Sequence, residues 1–130
     1  MKSIVIISFA LLGVAVGYKD FTEESDWCIQ RYNLNRQEIY RIHRGHQLPT
    51  DDANYSLFYE CLWRKIGFLD VYGEINRREI WQMYYNVARE VYNTQVSRDK
   101  ADRVMEICNN VNGGTPVIKA LNMGNCLKTV

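Results

Sequence analysis

Four cysteines constrain what this chain can fold into. Cys28, Cys61, Cys108 and Cys126 are spread over most of its length. An even number of cysteines in a small exported domain is typical of paired disulfides, and four cysteines allow three pairings. No two of them have the short spacing that zinc knuckles use. We therefore expect two disulfides rather than a metal site.

The start of the chain has the layout of a secretory signal peptide. Residues 1–17 carry a positive charge near the N-terminus, an apolar stretch over 4–12 and small residues before a cleavage site. The apolar stretch is shorter than the roughly 20 residues that span a bilayer. We predict cleavage before Tyr18, a secreted, extracellular domain over 18–130, and no stable membrane insertion.

The charge balance and the motifs exclude several classes of function. Removing Lys2 from the 16 basic residues leaves 15, against 15 acidic residues. A neutral domain has no strong attraction to nucleic acid or to anionic membranes. The sequence contains no nucleophile elbow, glycine-rich phosphate loop or metalloprotease helix. We expect no enzyme activity, no catalytic residues, no cofactor, no metal and no nucleic-acid partner.

Capping residues and apolar stripes predict an all-α fold of about six short helices. The predicted helices begin at or near Thr22, Asn35, Asp52, Asn76, Ser97 and Thr115. Gly67 is expected to end the third helix in a left-handed conformation. Each cysteine lies on a different predicted helix, so two disulfides would tie four helices together.

The cysteines and the segment after Cys61 carry a family resemblance. The segment from Cys61 to Asp70, followed by Gly73, resembles the insect odorant-binding protein family (PBP/GOBP), which includes the salivary short D7 proteins. The usual family pattern has two more cysteines, and the resemblance assigns their places to Leu57 and Val117. The chain thus resembles the four-cysteine, "minus-C" type. The resemblance implies that Leu57 and Val117 pack together where a buried bridge is missing.

The same resemblance implies a disulfide pairing and a function. It pairs Cys28 with Cys61 and Cys108 with Cys126. It also implies that the helices surround an internal apolar pocket. The implied function is a secreted carrier of a small hydrophobic or amphipathic ligand, such as an odorant, a pheromone or a lipid-like molecule. The resemblance also implies a receptor or a second copy of the chain as a further partner.

The apolar stripes of the later helices supply the candidate pocket residues. The chain has 3 Trp, 9 Tyr and 4 Phe, more aromatic side chains than a small helical core ordinarily requires. The candidates are Phe58, Leu62, Ile66, Phe68, Trp81, Tyr84, Tyr85, Ala88, Tyr92, Ile118 and Leu121. For any one of them, simple core packing is the commoner role.

Two alternatives to this carrier function remain open. The D7 proteins imply capture of a biogenic amine or a lipid mediator, and an amine site needs a carboxylate beside aromatic rings. No Asp or Glu follows Glu106, so Glu90 or Asp102 would have to serve. The second alternative is a secreted helical interaction protein with a solid core and no ligand pocket.

Two histidines near the end of the second predicted helix need a separate interpretation. His43 and His46 are three residues apart, but no thiolate or acid completes a metal site with them. Protonated histidines are favoured at the negative end of a helix. We expect both to be solvated helix-end cations.

Overall fold

The computed structural model describes residues 21–130, which form six α-helices. These are α1 (Thr22–Arg31), α2 (Arg36–His43), α3 (Ala53–Ile66), α4 (Arg77–Arg89), α5 (Thr94–Ile107) and α6 (Pro116–Thr129). Within 21–130 there is no strand, and one isolated antiparallel bridge joins Leu69 to Ile75. The predicted all-α fold is confirmed. The predicted signal peptide and its cleavage site lie outside the described residues.

Side-chain caps explain where most of the helices begin. A side-chain oxygen accepts a hydrogen bond from the backbone N–H three residues ahead at Asn35, Asp52, Asn76, Asn93 and Thr115. These bonds satisfy amide groups that have no partner within the helix. All of these caps except Asn93 were predicted.

One predicted cap and one predicted helix start are wrong. Phe21, not Thr22, occupies the N-cap position of α1, and it makes no side-chain capping bond. Helix α5 begins at Thr94, ahead of the start expected near Ser97. The reason is that Asn93 caps this helix, whereas Ser97 is buried within it.

Each disulfide joins one pair of helices. Cys28 is bonded to Cys61, joining α1 to α3, and Cys108 is bonded to Cys126, joining the end of α5 to α6. The pairing that the resemblance implied is therefore confirmed.

Leu57 does not fill the place of a buried bridge. It is 47% exposed, whereas its neighbour Phe58 is fully buried. The inward stripe of α3 consists of Tyr55, Phe58, Tyr59, Leu62 and Trp63. Helical periodicity leaves Leu57 outside that stripe. The expected burial of Leu57 is wrong. Its proximity to Val117, which is partly buried against the core, stays a prediction.

Other contacts join α3 and the preceding loop to α6. The Tyr59 hydroxyl lies in the space that a Cβ atom on Gly124 would occupy. The side chain of Asn125 accepts a hydrogen bond from the Leu48 amide at 2.7 Å and donates one to the Leu48 carbonyl at 3.0 Å. Close packing and a paired amide therefore hold α6 in place.

Candidate functional site

A cleft of about 260 Å³ opens between the start of α1, the end of α3 and one face of α4. Its apolar lining residues are Phe21, Ile66, Phe68, Met83 and Val87. Its polar lining residues are Glu79, Gln82, Asn86 and Glu90. The lining thus combines apolar and polar side chains in similar number, and the volume lies slightly below the roughly 300 Å³ at which small-molecule pockets usually begin. This cleft suits a small ligand.

One face of α4 forms the longer wall. Glu79, Met83, Val87 and Glu90 recur at helical spacing, so they lie along one side of the helix. Met83 is buried and Val87 is partly buried, while the two glutamates are exposed. The wall is therefore apolar in its middle and acidic at both ends.

Aromatic rings form the opposite wall. The rings of Phe21 and Phe68 meet edge to face, with 5.9 Å between their centroids. Trp63 contacts Phe68 in the same manner at 5.3 Å. All three side chains are buried, and edge-to-face contacts of this kind stabilise aromatic pairs. Phe68 is thus held in position before any ligand binds.

The two glutamates stand in different electrostatic surroundings. Glu79 lies in the first turn of α4, where the helix dipole favours a negative charge. Glu90 is the C-cap residue of the same helix, where the terminal carbonyls add negative potential. Neither carboxylate takes part in an ion pair among the described residues, and no basic residue lines the cleft. The cleft therefore favours a neutral or positively charged polar group over a carboxylate.

The predicted pocket residues fall into three groups. Ile66 and Phe68 line the cleft. The fully buried core contains Phe58, Leu62, Tyr84, Ala88 and Leu121. Partly buried positions packed against the core are those of Trp81, Tyr85, Tyr92 and Ile118. For every one of these residues, including the two on the cleft, a ligand-binding role stays a prediction.

An aromatic pair predicted for the pocket lies where α4 meets α5. The rings of Trp81 and Tyr85 are stacked with a centroid distance of 5.1 Å. The indole Nε1–H of Trp81 donates a hydrogen bond to Asp102 on α5 at 2.7 Å. Asp102 is thus engaged in joining two helices, whereas Glu90, the other acid considered for an amine site, lines the cleft.

Several cleft residues were not predicted from the sequence. Met83 and Val87 could have been found from their helical spacing with Glu79, which continues the stripe of α4 on its neighbouring side. Phe21 had no such signal, because it precedes a helix and only the packing of α1 against α3 brings it to Phe68.

His43 lies in the interior, and the expectation of a solvated cation is wrong for it. It is 2% exposed, among the rings of Tyr55, Phe58 and Tyr59. Its Nδ1 is 2.5 Å from the Tyr55 hydroxyl, and its Nε2 has no hydrogen-bond partner within residues 21–130. Burial lowers the pKa of His43 to about 3, with smaller contributions from nearby cations. His46 is exposed, as expected.

The comparison with models of protein families gives a match that covers most of the chain. Residues 18–130 match the model of the PBP/GOBP family. No curated protein and no solved structure gives a significant match. Among the described residues, none of the helices combines the length and apolar character needed to cross a membrane.

Proposed function

Because this chain belongs to the PBP/GOBP family of insect odorant-binding proteins, we propose that it is a secreted carrier of a small hydrophobic or amphipathic ligand. The observation that carries the proposal is the cleft, with its apolar middle and its buried aromatic wall. Two disulfides are consistent with an extracellular setting. An odorant, a pheromone or a lipid-like molecule fits these surroundings.

The lining of the cleft restricts the polar end of the ligand. Burial of an apolar chain contributes about 25 cal/mol per Å², less the cost of ordering, so affinities near micromolar are expected. A ligand carboxylate beside Glu90 would meet a second negative charge. An alcohol, a ketone or an ester adds no negative charge there, and a protonated amine adds a positive one.

A protonated amine is the second candidate ligand. Glu90 favours it, because the carboxylate and the C-terminal carbonyls of α4 attract a cation from the same side. Phe21 and Phe68 offer ring faces and edges to the remainder of such a ligand. A helical interaction protein without a ligand is the competing function, and the following experiment separates it from a carrier.

The test is displacement of a fluorescent apolar probe, with Val87→Trp to fill the cleft. The matched control is Val91→Trp, which adds the same ring to a half-exposed residue just beyond α4 and outside the cleft. We expect saturable binding at one site per chain, with an affinity loss of about tenfold or more for Val87→Trp. Val91→Trp should bind like the unaltered protein. Absence of saturable binding to the unaltered protein would contradict the carrier function.

A second comparison tests the polar end. An alcohol, an amine and a carboxylate with the same hydrocarbon chain are competed against the probe. We expect the carboxylate to bind most weakly. Glu90→Gln should weaken the amine several-fold and leave the alcohol unchanged, while Glu106→Gln, on exposed α5 surface, should change neither. Equal affinity for all three ligands would contradict the role of Glu90 and leave the carrier function standing.

A further inference from the structure

A second, polar cleft lies away from the ligand cleft and contains a cluster of asparagines. It has a volume of about 360 Å³. Its lining residues are Glu74, Ile75, Arg77, Asn109, Asn110, Val111, Asn112 and Lys119. The carrier function does not use any of them. The segment before α6 brings one asparagine next to a glycine.

The backbone nitrogen of Gly113 lies beside the side-chain amide of Asn112. It donates a hydrogen bond to Asn112 Oδ1 at 2.8 Å. Because a C=O bond is about 1.2 Å long, the nitrogen lies within about 4 Å of the Cγ carbon of the same amide. Asn112 is exposed to water. Gly113 has no side chain that would hinder its backbone nitrogen from reaching the Asn112 Cγ carbon. The reacting atoms of an intramolecular cyclisation are therefore already close together, so a local rotation of the side chain is enough to align them.

The packing of α6 keeps glycine at this position. A Cβ atom on Gly113 would lie 2.7 Å from Ile118 Cγ2 and 2.8 Å from the Lys119 backbone nitrogen. Real side chains do not tolerate such distances, so a bulkier residue would displace the start of α6. The fold therefore requires glycine directly after Asn112.

We propose that Asn112 is a site of spontaneous deamidation, which gives the protein a second charge form. The Gly113 nitrogen gives up its proton to solvent and attacks Asn112 Cγ. The bond from Cγ to the side-chain nitrogen breaks, and ammonia leaves with a proton from solvent. Water then opens the resulting succinimide at one of its two carbonyls, which produces aspartate or isoaspartate. No oxidant, reductant or cofactor is consumed.

The new carboxylate alters the charge of the polar cleft. Its lining has two basic side chains, Arg77 and Lys119, and one acidic side chain, Glu74. Arg77 donates to the carbonyls of Cys108 and Val111, and Lys119 is paired with Glu74 at 2.8 Å. A carboxylate at Asn112 would neutralise the remaining positive charge.

The experiment follows the folded, fully disulfide-bonded protein in ¹⁸O-labelled water at neutral pH, with peptide mapping by mass spectrometry. We expect Asn112 to exchange an amide for a carboxylate, to incorporate one labelled oxygen, and to lower the net charge by one. Asn109 and Asn110 are exposed internal controls, followed by bulkier residues. They should react much more slowly. Asn112→Gln should abolish the reaction at this site, and Asn112→Asp should comigrate with the product.

The denatured chain supplies the decisive comparison. Reaction at Asn112 in the folded protein at a rate equal to or above that of the reduced, denatured chain would support the proposal. Reaction in the denatured chain alone would overturn it, because the fold would then hold the nitrogen out of line with Cγ. Equal rates at all three asparagines of the folded protein would also overturn it.

Discussion

Burial sets the charge state of His43. Because the pKa of this histidine is lowered from 6.5 to about 3 in the folded protein, the unfolded chain binds a proton between those values and the folded chain does not. The stability that neutral His43 contributes is therefore present above about pH 6.5 and is lost as the pH falls toward 3. We expect a loss of about 2 kcal/mol between about pH 7 and about pH 5. Urea unfolding at several pH values measures it.

The control for this prediction is the other histidine. His46→Gln removes an exposed imidazole and should leave the pH dependence unchanged. His43→Gln should lower stability at neutral pH, because a polar amide replaces a packed ring, and should flatten the dependence between neutral pH and pH 5. The same slope in both variants would show that carboxylates, not His43, govern the response to acid.

Gly124 allows Tyr59 to pack against α6. A Cβ atom on Gly124 would overlap the Tyr59 hydroxyl and lie 3.1 Å from Leu48 Cδ1. Both side chains are buried and have little room to move, so Gly124→Ala should cost about 1–3 kcal/mol in the free energy of unfolding. In a double-mutant cycle, Tyr59→Phe should recover part of that loss by removing the overlapping oxygen. Additive effects of the two changes would contradict this contact.

At the scale of elements, the cap of α4 supports the wall of the ligand cleft. Asn76 Oδ1 accepts the Glu79 backbone N–H at 3.3 Å. Asn76→Ala should cost about 1 kcal/mol, and Asn76→Asp should retain most of the stability, since aspartate caps as well as asparagine. Chemical unfolding with both variants measures this. An equal loss for both would mean that the asparagine amide, rather than the capping oxygen, matters here.

The helix starts could be predicted from the sequence because capping is local. Asn35, Asp52, Asn76 and Thr115 each lie three residues before the amide that they cap. The cleft could not be predicted in the same way. Met83 lies in a readable helical pattern, but its position opposite Phe21 depends on how separate helices pack.

Position 57 shows the same limit of sequence reasoning. A leucine at this position is compatible with either the core or the surface, and only the rotation of α3 decides between them. That rotation turns Phe58 and Leu62 inward and leaves Leu57 half exposed. Apolar character alone therefore did not identify a packed replacement for a bridge.

At the scale of the whole molecule, both disulfides and non-covalent packing hold the helices together. One disulfide joins α1 to α3 and the other joins α5 to α6. Between these groups, the described contacts are non-covalent: Tyr59 against Gly124, and Asn125 with Leu48. The two groups should therefore depend on each other's stability, since unfolding either one exposes the apolar face of the other.

Removing the disulfides tests that dependence. For loops of 33 and 18 residues, chain entropy gives about 3.8 and about 3.2 kcal/mol for the two bridges. A domain of this size is typically stable by about 5–15 kcal/mol. Cys28→Ala with Cys61→Ala, or Cys108→Ala with Cys126→Ala, should thus leave a folded helical protein with a lower urea midpoint. Removing all four cysteines should abolish most of the stability, because about 7 kcal/mol is lost. A cooperative transition at an unchanged midpoint in the cysteine-free chain would show that non-covalent packing of the helices is sufficient to hold the fold.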